Sequence, residues 1–277
     1  MDKQALMDQM YEQDINAFIG LDYSHMGFWK QENDSDFHQA QEESLRQLTK
    51  NLDIKPEAVV LDIGGGQGGT AIWLCQTFGC KVVVVDIVQS MIEQAKIKVE
   101  SAGLSDRIQL VCSDILDYQT DQVFEHIISV EALHHIKETD KLFQKCSSLL
   151  KTGGTLAASI YWSNIKYRWL RNQYLMLTVG DKSIPRLKDY QAALESAGFY
   201  YSNRDISNRV LPKSTQQLRK KPYIDRIKKY HVKHFGKISL LFMPLFMFWH
   251  DRVIKKNQLR LVIFEAMKKS NDPNQVL

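Results

Sequence analysis

The sequence predicts an α/β fold, a doubly wound parallel sheet with helices on both faces. Three observations predict it. Between residues 58 and 162, short continuous apolar runs alternate with segments whose apolar residues recur at helical spacing. The runs are apolar at successive positions, so both faces of each strand are buried, as a parallel sheet requires. Helices between the strands, joined by right-handed crossovers, then cover the sheet on both sides.

The elements follow in order. Ala58 to Ile63 is a short apolar run bounded by glycines and reads as a buried strand. Gly68 to Phe78 has helical character. Lys81 to Ile87 is rich in valine and forms the second strand. Gln89 to Ala102 places Met91, Ile92, Ala95, Val99 and Ala102 at helical spacing. Ile108 to Ile115 and His126 to Val130 are the third and fourth strands. Lys137 to Leu150 reads as a helix stopped by Gly153-Gly154, and Thr155 to Trp162 as a fifth strand. Ile184 to Ala197 is helical and ends at Gly198. Tyr200 to Ile206 is a sixth strand, Lys213 to Asn257 two or three helices, and Leu259 to Met267 a final strand. The expected organisation is a helical N-terminal lid over 1–52, a core over 53–212 and 258–270, and a helical insertion over 213–257 that contributes to a substrate pocket.

Composition narrows the class. The 277 residues contain 36 Lys and Arg against 32 Asp and Glu, and a net charge of +4 is too mild to require a nucleic-acid partner. A hydrophobic share of 44% with 25% charged residues excludes wholesale disorder. Cys75, Cys80, Cys112 and Cys146 show no CxxC pair and no zinc spacing. They are expected to be buried thiols in a reducing compartment, with no metal site. The polar, acidic stretch from Met1 to Tyr11 has no signal-peptide pattern. No apolar run reaches the ~20 residues of a membrane span. The longest, Ile238 to Trp249, is interrupted by Pro244. The chain is therefore expected to be cytoplasmic and soluble, as a monomer or homodimer. The apolar stretch Leu240 to Trp249 is expected to pack on the core; an apolar substrate pocket or a membrane-surface face is the less favoured reading.

The strongest feature is Leu61-Asp62-Ile63-Gly64-Gly65-Gly66-Gln67-Gly68-Gly69, between a buried strand and a helix. Glycines there allow backbone angles denied to other residues, and the helix start offers N–H groups to a ligand. Asp86 ends the second strand about twenty residues on, where a carboxylate can accept both hydroxyls of a ribose. The loop satisfies Gly-x-Gly-x-Gly through Gly64, Gly66 and Gly68, and Gly-x-Gly-x-x-Gly through Gly64, Gly66 and Gly69. The loop alone therefore does not separate a dinucleotide site from an S-adenosylmethionine (SAM) site. Three further features decide. Asp62 stands just before the glycines, where a carboxylate can meet an ammonium group. Asp114-Ile115 follows the third strand. Val130-Glu131-Ala132-Leu133-His134-His135 follows the fourth, and all converge on the carboxyl edge of the sheet.

This set resembles the class I SAM-dependent methyltransferases over about residues 58 to 162. The resemblance implies a seven-stranded Rossmann-like sheet whose last strand, Leu259 to Met267, inserts antiparallel, with helical N- and C-terminal additions. It implies that Gly64, Gly66 and Gly68 line the methionine part of SAM. Asp86 would bind the ribose hydroxyls, and Ile87 would cover the adenine. Asp114 would accept from the adenine amino group beside Ile115, and Val130 and Glu131 would flank the sulfonium. Asp62 and Met91 complete the cofactor-binding set.

Tyr23-Ser24-His25-Met26-Gly27-Phe28-Trp29 resembles the His-x-Gly-Tyr-Trp segment of the small-molecule branch, which includes tocopherol, sugar and phosphoethanolamine methyltransferases. Here Gly27-Phe28-Trp29 replaces the commoner tyrosine form. Tyr11, Tyr23, His25 and Trp29 are the expected substrate-side residues. His135 matches a histidine that stands next to the acceptor in several relatives, and its ordinary pKa near working pH suits a general base. His134 reads as structural. The implied activity moves a methyl group to O, N or C of a small, amphipathic or lipid-like metabolite. The rival readings are a tRNA or rRNA methyltransferase, prompted by the basic run from Arg219 to Lys233, a nicotinamide-dependent oxidoreductase, and a SAM-binding protein that transfers nothing.

Overall fold

The computed structural model describes residues 23, 25–31, 36–178, 184–221, 224–225, 228–229, 232 and 236–269. In chain order the elements are α1 (Phe37–Thr49), β1 (Val59–Ile63), α2 (Gly69–Phe78), β2 (Lys81–Asp86), α3 (Gln89–Ser101), β3 (Ile108–Cys112) and β4 (Phe124–Val130). A 3-10 turn (Leu133–His135) leads to α4 (Thr139–Leu149), β5 (Leu150–Ser163), α5 (Arg168–Thr178), α6 (Leu187–Ser196) and β6 (Phe199–Asp205). α7 (Ser207–Leu218), α8 (Ser239–Lys255) and β7 (Leu259–Lys268) complete the fold.

The seven strands form one sheet in the order β3-β2-β1-β4-β5-β7-β6. β1 to β5 pair parallel, and β7 inserts antiparallel between β5 and β6. The doubly wound sheet with an antiparallel last strand is thus as expected. The strand order reverses between β1 and β4, which opens a crevice at their carboxyl ends.

Side chains alternate between two cores along each central strand. Val60, Val82, Val84, Ile128, Leu261 and Ile263 point to a core closed by α1, α2, α7 and part of α8. Leu61, Val83, Val85, Ile127, Leu156 and Phe264 point to the other, closed by α4 and α6. Burial of each such side chain stabilises the fold by about 1.5–3 kcal/mol. This double burial is what the continuous apolar runs encode.

Several expectations are corrected. β3 ends at Cys112 rather than Ile115, because after Ser113, whose N–H still donates to the Asp86 carbonyl, the chain turns at Asp114, whose carbonyl accepts from Asp117 and Tyr118 N–H. As β3 is an edge strand, Cys112 is exposed, whereas Cys75, Cys80 and Cys146 are buried. Gly153-Gly154 does not stop a helix. α4 ends at Leu149, and the two glycines lie within β5, where the register against β4 shifts between Phe124 and His126. α7 runs unbroken through the expected 212/213 boundary, with Pro212 inside it, so the core and the C-terminal helical part share a helix. Residues 213–257 supply the rest of α7 and all of α8 among the described residues.

Candidate active site

A cleft lies at the carboxyl edge, at the β1–β4 reversal of strand order. Its wall is built from the ends of β1, β2, β3 and β4. Gly64 and Gly66 come from the first, Asp86, Ile87 and Met91 from the second, Asp114 and Ile115 from the third, and Val130, Glu131 and His135 from the fourth. A second, small cavity adjoins it through Gly64, Gly66 and Val130, and is lined further by Tyr23, His25, Gln67 and Thr70.

The glycine loop has its shape for steric reasons. Gly64 has φ +71°, and a Cβ there would stand 2.4 Å from the Cβ of Ala132. Gly66 has φ +54° and donates its N–H to Asp86 Oδ2 at 2.8 Å. Asp86 Oδ1 accepts from Val88 N at 2.9 Å. Two backbone donors thereby orient its carboxylate at the cleft wall. Gly68, at φ +80°, caps α2 and lines neither cavity.

Asp62 is buried behind the loop rather than in the cleft. A Cβ on Gly65 would lie 2.6 Å from its Oδ2, which has no hydrogen-bond partner. Burial, with the charge of Asp86, pushes its pKa up to about 7.

Glu131 is the site's strained residue. It is one of two non-glycine residues with positive φ among those described, at 53°. The conformation is fixed by its N–H, which donates to the Ser159 carbonyl at 2.9 Å. Its Oε1 accepts from Met26 N at 3.1 Å, which ties the N-terminal segment to the sheet edge. Burial pushes the carboxyl up to about 7 against the pull of the Met26 N–H and the Tyr161 hydroxyl. Burial and the nearby Glu131 charge raise Tyr161 well above the ordinary phenol value.

The histidines divide by environment. His135 lines the cleft, its ring 4.3 Å from that of His134. His134 is buried edge-on against Tyr161, and burial followed by the His135 charge holds it well below the usual imidazole value. His25 Nδ1–H donates to the Met26 carbonyl at 2.9 Å, while Nε2 is buried without a partner. Burial lowers its pKa to about 4.

The segment 25–31 is pinned by α1 and α7. Gln41 Nε2 donates to the carbonyls of Tyr23 and His25, at 3.3 and 2.6 Å, and Ser44 Oγ to that of Met26 at 2.9 Å. Trp29, expected on the substrate side, sits elsewhere. Its ring stacks on Phe37, its Nε1 donates to Ser214 Oγ at 3.2 Å, and Lys213 covers it at 5.0 Å. It is 3% exposed and lines neither cavity, so it packs the segment down. Tyr11 lies outside the described residues.

The structure brings together most of the expected set: Gly64, Gly66, Asp86, Ile87, Met91, Asp114, Ile115, Val130, Glu131 and His135 in the cleft, with Tyr23 and His25 beside it. Sequence reading missed Ser113, Ala132 and Ile136 in the cleft, and Gln67 and Thr70 in the second cavity. The last two carried a signal, since Gln67 stands within the glycine loop and Thr70 in the first turn of the helix that follows it.

Comparisons decide which cofactor such a cleft takes. Residues 60–154 match a family model described as a methyltransferase domain. Methyltransferase GfsG of Streptomyces halstedii is 27% identical over 201 residues, covering 69% of this chain and 71% of that protein. Phosphoethanolamine N-methyltransferase 2 of Caenorhabditis elegans is 32% identical over 43% of this chain, which spans only 28% of that protein.

Residues 60–154 form a SAM-dependent methyltransferase domain.

The methyltransferase also shares its fold with geranyl diphosphate C-methyltransferase from Streptomyces coelicolor A3(2), solved in complex with Mg2+, geranyl diphosphate and S-adenosyl-L-homocysteine (SAH). The TM-score is 0.75 at 14% identity, over 97% of this chain and 98% of that one. The residues of the methyltransferase fit SAM. Asp86 and Asp114 offer carboxylates to hydroxyl and amino donors, Ile87, Met91 and Ile115 form an apolar slot for a flat base, and the open glycine loop admits the methionine part. Glu131 adds a buried carboxyl to the same wall.

Proposed function

We propose that the methyl acceptor is a small metabolite held between His135, Glu131 and the segment around His25, and that His135 takes the acceptor's proton. The observation that carries this reading is that His135 and Glu131 both line the cleft, while Val130, next to Glu131, lines both the cleft and the second cavity. When bound, SAM supplies an electrophilic methyl group for in-line displacement. The chain's own part is to place the acceptor atom close to that methyl and to exclude water. The N-terminal segment, tied down through Met26 to Glu131, closes the site from above.

A neutral His135 suits a hydroxyl or activated-carbon acceptor. Glu131 supports a second reading, because its carboxyl is pushed up to about 7 and so exchanges protons near neutral pH. The acceptor class we favour is amphipathic, and we place the enzyme in the cytoplasm as a monomer or homodimer. Buried cysteines without disulfides support a reducing compartment.

The test is methyl transfer from labelled SAM into a pool of small metabolites, followed by mass spectrometry of the products. His135→Ala should lower turnover by ~100-fold or more, the usual contribution of a general base. A fall below ~10-fold removes His135 from that role. A larger loss in Glu131→Gln than in His135→Ala assigns the proton to the second reading.

A further inference from the structure

We propose that the outer face of α8 docks this protein onto an anionic lipid bilayer. α8 is clamped from within. Met243 and Val253 are buried, and His250 bonds to Tyr174 on α5 at 2.7 Å and to Thr215 on α7 at 3.1 Å. Its other face is apolar and open. Ile238, Leu241, Phe242, Leu245 and Phe248 are each between 62% and 77% exposed. At 3.6 residues per turn, all of these but Phe242 fall within an arc of about 80°, so they form one stripe. Tyr167 and Trp169, at the start of α5, are exposed to a similar degree. An amphipathic face of this kind, on a helix too short to cross a membrane, suits a helix lying in the bilayer interface.

Charge selects the occupant. Residues 213–257 carry twelve Lys and Arg against two Asp, a net +10 in a chain whose total is +4, which leaves −6 elsewhere. One of those two acids, Asp251, is bound by Arg219 at 2.7 Å. Exposed Lys237 precedes the stripe, and exposed Arg252, Lys255 and Lys256 follow it. Nucleic acid would answer the charge but leave five large apolar side chains in water. A second copy docked through this same face would bring like charge against like. An anionic bilayer answers both features.

The site geometry is consistent with this. Leu259, just after α8, pairs with Ser163 at the carboxyl end of β5, and α5 starts from that same end. The apolar face is therefore anchored at the edge where the cleft opens. The inference does not rest on the acceptor assignment, because docking is measured without turnover.

The experiment is flotation of the full chain with large unilamellar vesicles of phosphatidylcholine alone or with added phosphatidylglycerol. Binding is expected on the mixed vesicles, to weaken with salt, and to be at least ~10-fold weaker on phosphatidylcholine alone. Leu241→Gln with Phe248→Gln should weaken it by ~10-fold or more, with the thermal midpoint and SAH binding unchanged. Lys255→Gln with Lys256→Gln should weaken binding on the anionic vesicles only. The proposal is overturned if the wild-type chain does not float, if the Leu241/Phe248 variant floats equally well, or if the chain binds an RNA oligonucleotide and not the vesicles. It is also overturned if the wild-type chain dimerises and the Leu241/Phe248 variant does not.

Discussion

Substituting Gly64 by alanine tests the shape of the cofactor loop, and Gly153 supplies a matched control. The two have nearly the same backbone, φ +71° and +73°. A Cβ on Gly64 would lie 2.4 Å from the Cβ of Ala132, whereas a Cβ on Gly153 would meet nothing within 4 Å. Both alanines bear the left-handed backbone penalty of about 1–2 kcal/mol. Only Gly64→Ala also forces two carbons more than 1 Å inside their contact distance, an overpacking cost of about 1–3 kcal/mol. Urea denaturation should therefore show G153A destabilised by about 1–2 kcal/mol and G64A by about 2–5 kcal/mol. SAH should stabilise G153A as it does the wild type and fail to stabilise G64A. Adding Ala132→Gly to G64A should recover the overpacking part. Equal destabilisation of the two variants, or wild-type SAH affinity in G64A, would refute the steric account.

Other substitutions follow from the same geometry. Asp62 has its folded pKa raised to about 7, so its contribution to stability is present below about pH 4 and lost as pH rises through 7. Asp62→Asn should thus gain on the wild type by roughly 3 kcal/mol between pH 4.5 and pH 8, and a pH-independent difference in urea midpoints would contradict the assignment. Trp29→Ala should lower stability by about 3–5 kcal/mol while the folded protein keeps its SAH affinity. Unchanged stability with lost turnover would return Trp29 to the substrate side. Gln41→Ala removes the donors to the Tyr23 and His25 carbonyls, so it should cost about 1–3 kcal/mol and admit protease near residues 25–31, with turnover falling further than SAH binding. Limited proteolysis identical to the wild type would show that the segment is held by other contacts.

What the sequence shows of the fold is what local pattern can carry. β1 and β2 are legible because burial on both faces leaves them continuously apolar, and the loop between β1 and α2 because only glycine suits its angles. Gly153-Gly154 was misread because glycine signals a break in the helix and a bulge in a strand equally well. The β4 register decides between these, and it is a long-range pairing. Trp29 was misplaced for the same reason, since Phe37, Lys213 and Ser214 enclose it from α1 and from α7, far along the chain. The cleft residues at strand ends were legible because the sheet topology alone brings those ends together. The retreat of Asp62 behind Gly65 was not, as it depends on a side chain's direction. The exposed stripe of α8 was legible as apolar but not as outward-facing, because apolar residues surround most of that helix.

The account centres on SAM occupying the cleft against Asp86, and a thermal-shift titration with SAH and NADH, on the wild type and on Asp86→Ala, tests this most directly. SAH at ~100 times its dissociation constant should add ~2.7 kcal/mol to the wild type and little to Asp86→Ala, with NADH inert. Stabilisation by NADH, no stabilisation by SAH, or an undiminished SAH response in Asp86→Ala would contradict it.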